Sequence, residues 1–169
     1  TDYFADDAHF WLQYGSLETE GEGGNLNLAE NYLSQAESLA PDYSYIQNAK
    51  CNLFYKLALV QENIDKAKEV KYKADTLGNT LLLTVGRNES HIYHIICGGR
   101  FHYIRKWITD ISEKKEELKA LKHTISTART LHPRDKKLDE IFRVIQKAYL
   151  ELGMPDGGLN LDIPNLIEE

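Results

Sequence analysis

The sequence predicts an all-α fold built from antiparallel helix pairs, and three observations carry that expectation. Apolar residues recur every three to four positions over long stretches, the mark of a helix with one buried face. Alanines stand seven apart with a larger apolar residue between them, as in Ala29, Leu33 and Ala36. The stretches close on glycine or proline, and the pattern returns after about 35 residues in the first two units and after a longer interval in the third. The chain has 169 residues, enough for one domain with a real core, and its composition (42% hydrophobic, 27% charged) is that of an ordinary globular chain.

The elements follow in order. Residues 4–20 read as a helix on which Phe10, Trp11, Tyr14 and Leu17 recur at helical spacing, and "GEGG" at 21–24 breaks it. Asn25 or Asn27 caps a second helix that runs to Ala40 and is stopped by Pro41. Its Ala29, Leu33 and Ala36 share a face that lets a neighbouring helix approach closely, while Glu37 falls on the polar side. Residues 44–61 form a third helical run marked by Ile46, Ala49, Leu53, Phe54, Leu57 and Ala58. The next segment repeats the seven-residue step with Ala67 and Ala74 and is expected to close at Gly78-Asn79. Leu121, Ile125 and Ala128 restate the pattern, with Pro133 placed after Ala128 as Pro41 is after Ala36. In residues 136–152 Leu138, Ile141, Phe142, Ile145 and Tyr149 make one apolar stripe.

These residues resemble the tetratricopeptide repeat (TPR). Trp11 and Gly15 have the separation of that signature, with Tyr14 in place of the usual Leu, and Ala29, Leu33, Ala36 and Pro41 fall at the expected positions. In the second unit Phe54, Ala67 and Ala74 match; in the third, Cys97, Gly98 and Phe101 match loosely, and Leu121, Ile125, Ala128 and Pro133 match well. The resemblance implies a TPR-like right-handed superhelix over residues 1–152, with units at about 4–41, 42–79 and 85–133 and a capping helix at 136–152 covering the end of the solenoid. Residues 153–169, with two prolines and no helical period, are expected to form a tail.

Charge is unevenly spread. Residues 1–50 carry nine acids and one base, Lys50, for a net of −8; residues 51–110 carry +3 and residues 111–169 carry −1. An acidic chain is a poor holder of nucleic acid, whose binding rests on Lys and Arg. No apolar run approaches the roughly 20 residues that span a bilayer, and no secretory signal is visible, so a cytoplasmic location is expected. Cys51 and Cys97 read as reduced core thiols. The chain begins at Thr1 and its one methionine is Met154, as expected of a piece of a longer polypeptide.

Two stretches raise the question of chemistry. "RNESHIYH" at 87–94 fits the loose R-x(4–6)-H pattern of the all-helical RNases called HEPN domains, with Arg87 and His94 as the pair that would supply a cation and a general base. The pattern is cheap enough to arise by chance, and a capped helix start with a packed His94 explains it as well. His91, His94 and Cys97 step by three, but such steps drift around a helix and no fourth ligand accompanies them. No glycine-rich phosphate loop, metalloprotease motif or nucleophile elbow occurs, so no cofactor is expected.

Tyr45, Asn48, Asn52 and Tyr55 step by three and four along the first helix of the second unit, with Lys56 beside them. In TPR register they occupy positions that line the concave groove, where Tyr and Asn supply adaptable contacts for a protein or peptide. Some TPR proteins clamp a C-terminal carboxylate with Lys and Asn at such positions; here Asn48 stands where Lys would be needed. The same row is also compatible with a groove that is merely solvated.

The stretches "HFWLQYG", "AENYLSQAESLAPDYSYIQNAKCNL" and "HIYHIICGGRFHYIRKW" together are similar to the C-terminal helical regions of large bacterial antiviral proteins. In those, an NTPase or a sirtuin-like NADase precedes the repeats. The resemblance implies a non-enzymatic segment that senses a phage protein, contacts another domain of its parent chain, or holds an assembly together. An RNase and a scaffold of self-associating copies are the competing expectations.

Overall fold

The computed structural model describes residues 6–153. Among them the chain forms seven α-helices and no strand: α1 (Ala8–Glu20), α2 (Leu26–Leu39), α3 (Ser44–Leu59), α4 (Ile64–Thr84), α5 (His91–Trp107), α6 (Ile111–Leu131) and α7 (Lys136–Glu151). The start of the expected first helix at residues 4–5, and all of the expected tail except Gly153, lie outside the described residues. The all-α class is as expected, and no described helix is long and apolar enough to cross a membrane.

Five of the helices begin on an Asp or Asn whose side chain accepts from backbone N–H groups of the first turn: Asp7, Asn25, Asn63, Asp110 and Asp135. Asn25, not Asn27, is thus the cap of α2. The preceding turn needs glycine at one point in particular, since Gly23 has φ +76°.

Sequence neighbours pack as pairs, α1 on α2, α3 on α4 and α6 on α7. The odd-numbered helices also touch one another in succession, α1 to α3, α3 to α5 and α5 to α7. Small residues set the spacing. Ala29, Ala36, Ala67, Ala74 and Ala128 are fully buried, and Leu33 fills the space over Gly15, where a β-carbon would stand 2.5 Å from Leu33 Cδ2. One apolar cluster joins Leu12, Ala29, Leu33, Ala36, Ile46 and Leu53, and a larger one runs from Cys51 to Tyr149. Cys51 and Cys97 are reduced and fully buried, and the Cys51 thiol lies 3.5 Å from the Ala74 carbonyl.

Two local expectations are corrected. Helix α4 does not close at Gly78-Asn79 but continues to Thr84. Gly78 is buried within it, and its missing side chain admits Ile96 of α5, whose Cδ1 would be 3.0 Å from a β-carbon there. The glycine serves contact, not termination. On α1 the buried residues are Leu12, Gly15 and Thr19, whereas Tyr14 and Leu17 are exposed. Trp11 is half-buried against the core and stacks on Tyr32 of α2 at 5.7 Å, with Tyr14 edge-on to the same ring.

Candidate protein-binding groove

A groove of about 450 Å³ lies between α1, the start of α3 and the start of α5. Helix α1 contributes His9, Gln13, Ser16 and Glu20; α3 contributes Tyr45, Asn48 and Asn52; α5 contributes His91 and Ile95. A second hollow of about 590 Å³ shares Thr19, Asn52 and Ile95 with the first and extends past Lys56 to Gly98, Gly99 and His102. The two together follow one side of the row of odd-numbered helices.

All five residues expected to line a groove border these hollows, Tyr45, Asn48 and Asn52 the first and Asn52, Tyr55 and Lys56 the second. Tyr45 is 54% exposed and meets Tyr43 edge to face at 5.3 Å. Asn52 donates from Nδ2 to Glu20 Oε1 at 3.2 Å, and Lys56 donates from Nζ to the Thr19 carbonyl at 2.9 Å, so both tie α3 to the end of α1. Asn48 sits deeper, at 2% exposure. Its Nδ2 donates to Glu89 Oε2 at 3.3 Å, while its buried Oδ1 has no partner among the described residues. A buried carbonyl left so costs about 1–3 kcal/mol.

Tyr55 also borders the second hollow, but as a residue of the core. The residue is 1% exposed, its ring packs against Gly99, and its hydroxyl donates to Asp75 Oδ1 at 2.6 Å. The ring reaches inward because α5 carries no side chain at 99 to oppose it. Tyr55 belongs to the core that holds α3 against α4 and α5.

Asp75 is the centre of a polar cluster that the sequence does not announce. It accepts from Tyr55, from Arg100 Nε at 2.8 Å and from Lys71 Nζ at 2.9 Å, while Arg100 also reaches Asn79 Oδ1. Burial pushes the Asp75 carboxyl up, but Arg100, the Tyr55 hydroxyl and Lys71 outweigh it and hold the group below its ordinary value. Burial likewise pushes the Tyr55 phenol up.

The pair considered for RNA cleavage is differently disposed. Arg87 is exposed in the turn after α4, whereas His94 lies on α5 with its Nε2 2.7 Å from Asp135 Oδ2. Asp135 caps α7, so His94 fastens α5 to that cap. Of the three spaced His and Cys residues, Cys97 is fully buried while His91 is exposed. Among the described residues no group of three or more His, Cys, Asp or Glu side chains could hold a metal ion.

The groove residues missed in the sequence are those of other helices. His9, Gln13, Ser16 and Glu20 do form a polar stripe at helical spacing on α1, a signal present in the sequence. His91 and Ile95 carry no such signal, because their place depends on how α5 stacks beside α3. The chain matches no protein-family model, no curated protein and no solved structure.

Proposed function

We propose that this chain is a protein-recognition module, a TPR-like right-handed superhelix whose concave side is formed by α1, α3, α5 and α7. The reading draws on the succession of contacts between odd-numbered helices and on the contacts of α7 with α5 and α6, which suit a capping helix. The observation that carries the function is the groove itself: Tyr45 stands exposed beside Asn48 and Asn52, on a helix that buries Ile46 and Leu53. A rigid helix presenting an aromatic anchor among amide groups suits a protein or peptide partner. By its resemblance, the segment is the sensor or assembly part of a larger cytoplasmic anti-phage defence protein of bacteria. The partner is then a phage protein or another domain of the parent chain, and the segment acts by binding, without catalysis or cofactor.

Capture of partners from phage-infected bacterial lysate by wild type and by Tyr45→Ala tests this. The variant should retain its helical circular dichroism and weaken binding by about 1–4 kcal/mol, as loss of an aromatic anchor does. Equal capture by both proteins would overturn the reading.

Self-association is a second reading, favoured by the outer face of the first helix pair. Tyr14 is 44% and Leu17 65% exposed there, beside the Trp11–Tyr32 stack. Sedimentation that depends on concentration in the wild type but not in Leu17→Glu would support it, and a monomer at all concentrations would remove it.

A further inference from the structure

We propose that the groove between α1, α3 and α5 takes an arginine side chain of the partner, with the guanidinium donating to Asn48 Oδ1 and pairing with Glu20 and Glu89. The inference rests on reading this groove as a protein-binding surface and names the chemistry of what it binds.

Three observations converge on a cation. The first is the orphaned acceptor. Glu89 takes a hydrogen from the Asn48 amide at 3.3 Å, which orients the amide, and Asn48, a residue of the groove lining, keeps its Oδ1 buried and without a partner among the described residues. Only a donor can satisfy that atom. The second is charge. Among the described residues Glu20 is the one carboxylate of the lining, Glu89 accepts from Asn48, no Lys or Arg lines this hollow, and His9 and His91 are its only groups able to become positive. Around it, residues 1–50 carry nine acids and one base, and that base, Lys50, is paired with Glu37. The field over this end of the chain therefore favours an approaching cation. The third is the aromatic pair Tyr43 and Tyr45, which offers exposed ring surface on which a guanidinium can stack.

Arginine fits this set better than lysine. Its planar fork carries five N–H donors, enough to reach an amide oxygen and two carboxylates at once, and its plane stacks on an aromatic ring. The neighbouring hollow is of opposite character, because Lys56 occupies it and its ammonium is spent on the Thr19 carbonyl. The arginine is thus placed at the Tyr45 end.

The test uses the probe acetyl-Leu-Ser-Arg-Leu-Ser-amide, with the same peptide carrying Lys or Glu in place of Arg, titrated into isotope-labelled protein at pH 7.5 and followed by NMR. The Arg peptide is expected to shift the Asn48 and Asn52 side-chain amide signals and to bind at least tenfold more tightly than the Glu peptide, with the Lys peptide between them. Its affinity should fall with added salt. Asn48→Leu should weaken the Arg peptide at least tenfold, and Glu20→Gln, at an exposed site, should weaken it severalfold even if Asn48→Leu proves unstable. Binding of the Glu peptide as tight as that of the Arg peptide would overturn the inference while leaving the groove a peptide site. Absence of any shift at Asn48 with the Arg peptide would overturn it too, and the lysate capture with Tyr45→Ala would then decide the broader reading separately.

Discussion

The ring of Tyr55 lies so close to the backbone of Gly99 that a β-carbon at 99 would stand 2.5 Å from Tyr55 Cδ2. The adjacent Gly98 has nothing within 4 Å of the corresponding position. Two neighbouring glycines in one helix therefore have opposite meanings. Gly99→Ala should force the stiff Tyr55 ring to move and destabilise the protein by about 1–3 kcal/mol. Gly98→Ala should stabilise it by about 0.5–1 kcal/mol, since a glycine inside a helix costs conformational entropy. Thermal melts of the two variants check the contrast, and a loss of stability in both would mean that Gly98 faces an unseen neighbour.

Asp75 offers a test of the interior ion cluster. Asp75→Ala removes the partner of Arg100, Lys71 and the Tyr55 hydroxyl and should cost about 3–5 kcal/mol, because it leaves a largely buried guanidinium unpaired. The pH dependence has a defined sign. The folded Asp75 carboxyl titrates below its ordinary value of 3.8, so its stabilisation is fully present above that pH and is lost as pH falls through the folded value. Urea melts at pH 7 and at descending pH below 3.8 should show the gap between wild type and Asp75→Ala narrowing. A constant gap would show that the carboxylate charge is not what holds the cluster.

Much of this architecture is legible in the sequence, and the reason is local. Helix existence follows from apolar spacing and from Asp and Asn caps, both of which act within a turn or two. The alanine positions are legible because a seven-residue step returns to the same helix face. Spacing puts Tyr55 in one row with Tyr45, Asn48 and Asn52, but a row three or four residues apart slowly rotates. By Tyr55 it has turned into the space vacated by Gly99. Gly78 looks like a stop in the sequence for a related reason: whether a glycine ends a helix or admits a neighbour is decided by that neighbour, Ile96, which lies in another helix.

Glu37 repeats the point and supplies a third prediction. Spacing puts it on the polar side of α2, yet its carboxylate pairs with Lys50 and accepts from Gln47 Nε2, both on α3. The Lys50 hydrogen bond lowers its pKa against the opposing effect of burial. Glu37→Ala should therefore cost a few tenths to about 1 kcal/mol, the range of partly exposed ion pairs. Ala36→Trp, one residue earlier on the fully buried stripe, should cost about 1–3 kcal/mol by overpacking. Equal melting temperatures for the two variants would contradict the packing of α2 against α1 and α3.

Helix α7 packs on α5 and α6 and buries Leu138, Ile145 and Tyr149, with the Arg129–Asp139 and His94–Asp135 contacts along its first turn. Deleting residues 136–169 should uncover Ile125 and its neighbours and lead to aggregation, as loss of a terminal cap does in stacked helical proteins. Light scattering of the truncated chain checks this; a monodisperse, fully helical product would place the end of the core before α7.

The two thiols of this chain sit at 0% exposure on α3 and α5, and burial pushes both up to about 12. Since the thiolate is the reactive form, neither can be alkylated while the helices stay stacked. They are a built-in clock. In the presence of a fast thiol reagent, the rate at which Cys51 is modified counts openings between α3 and α4, and that at Cys97 counts openings around α5. Partner binding across α1, α3 and α5 would slow both clocks together, so occupancy of the groove can be read from inside the protein without placing any label on its surface.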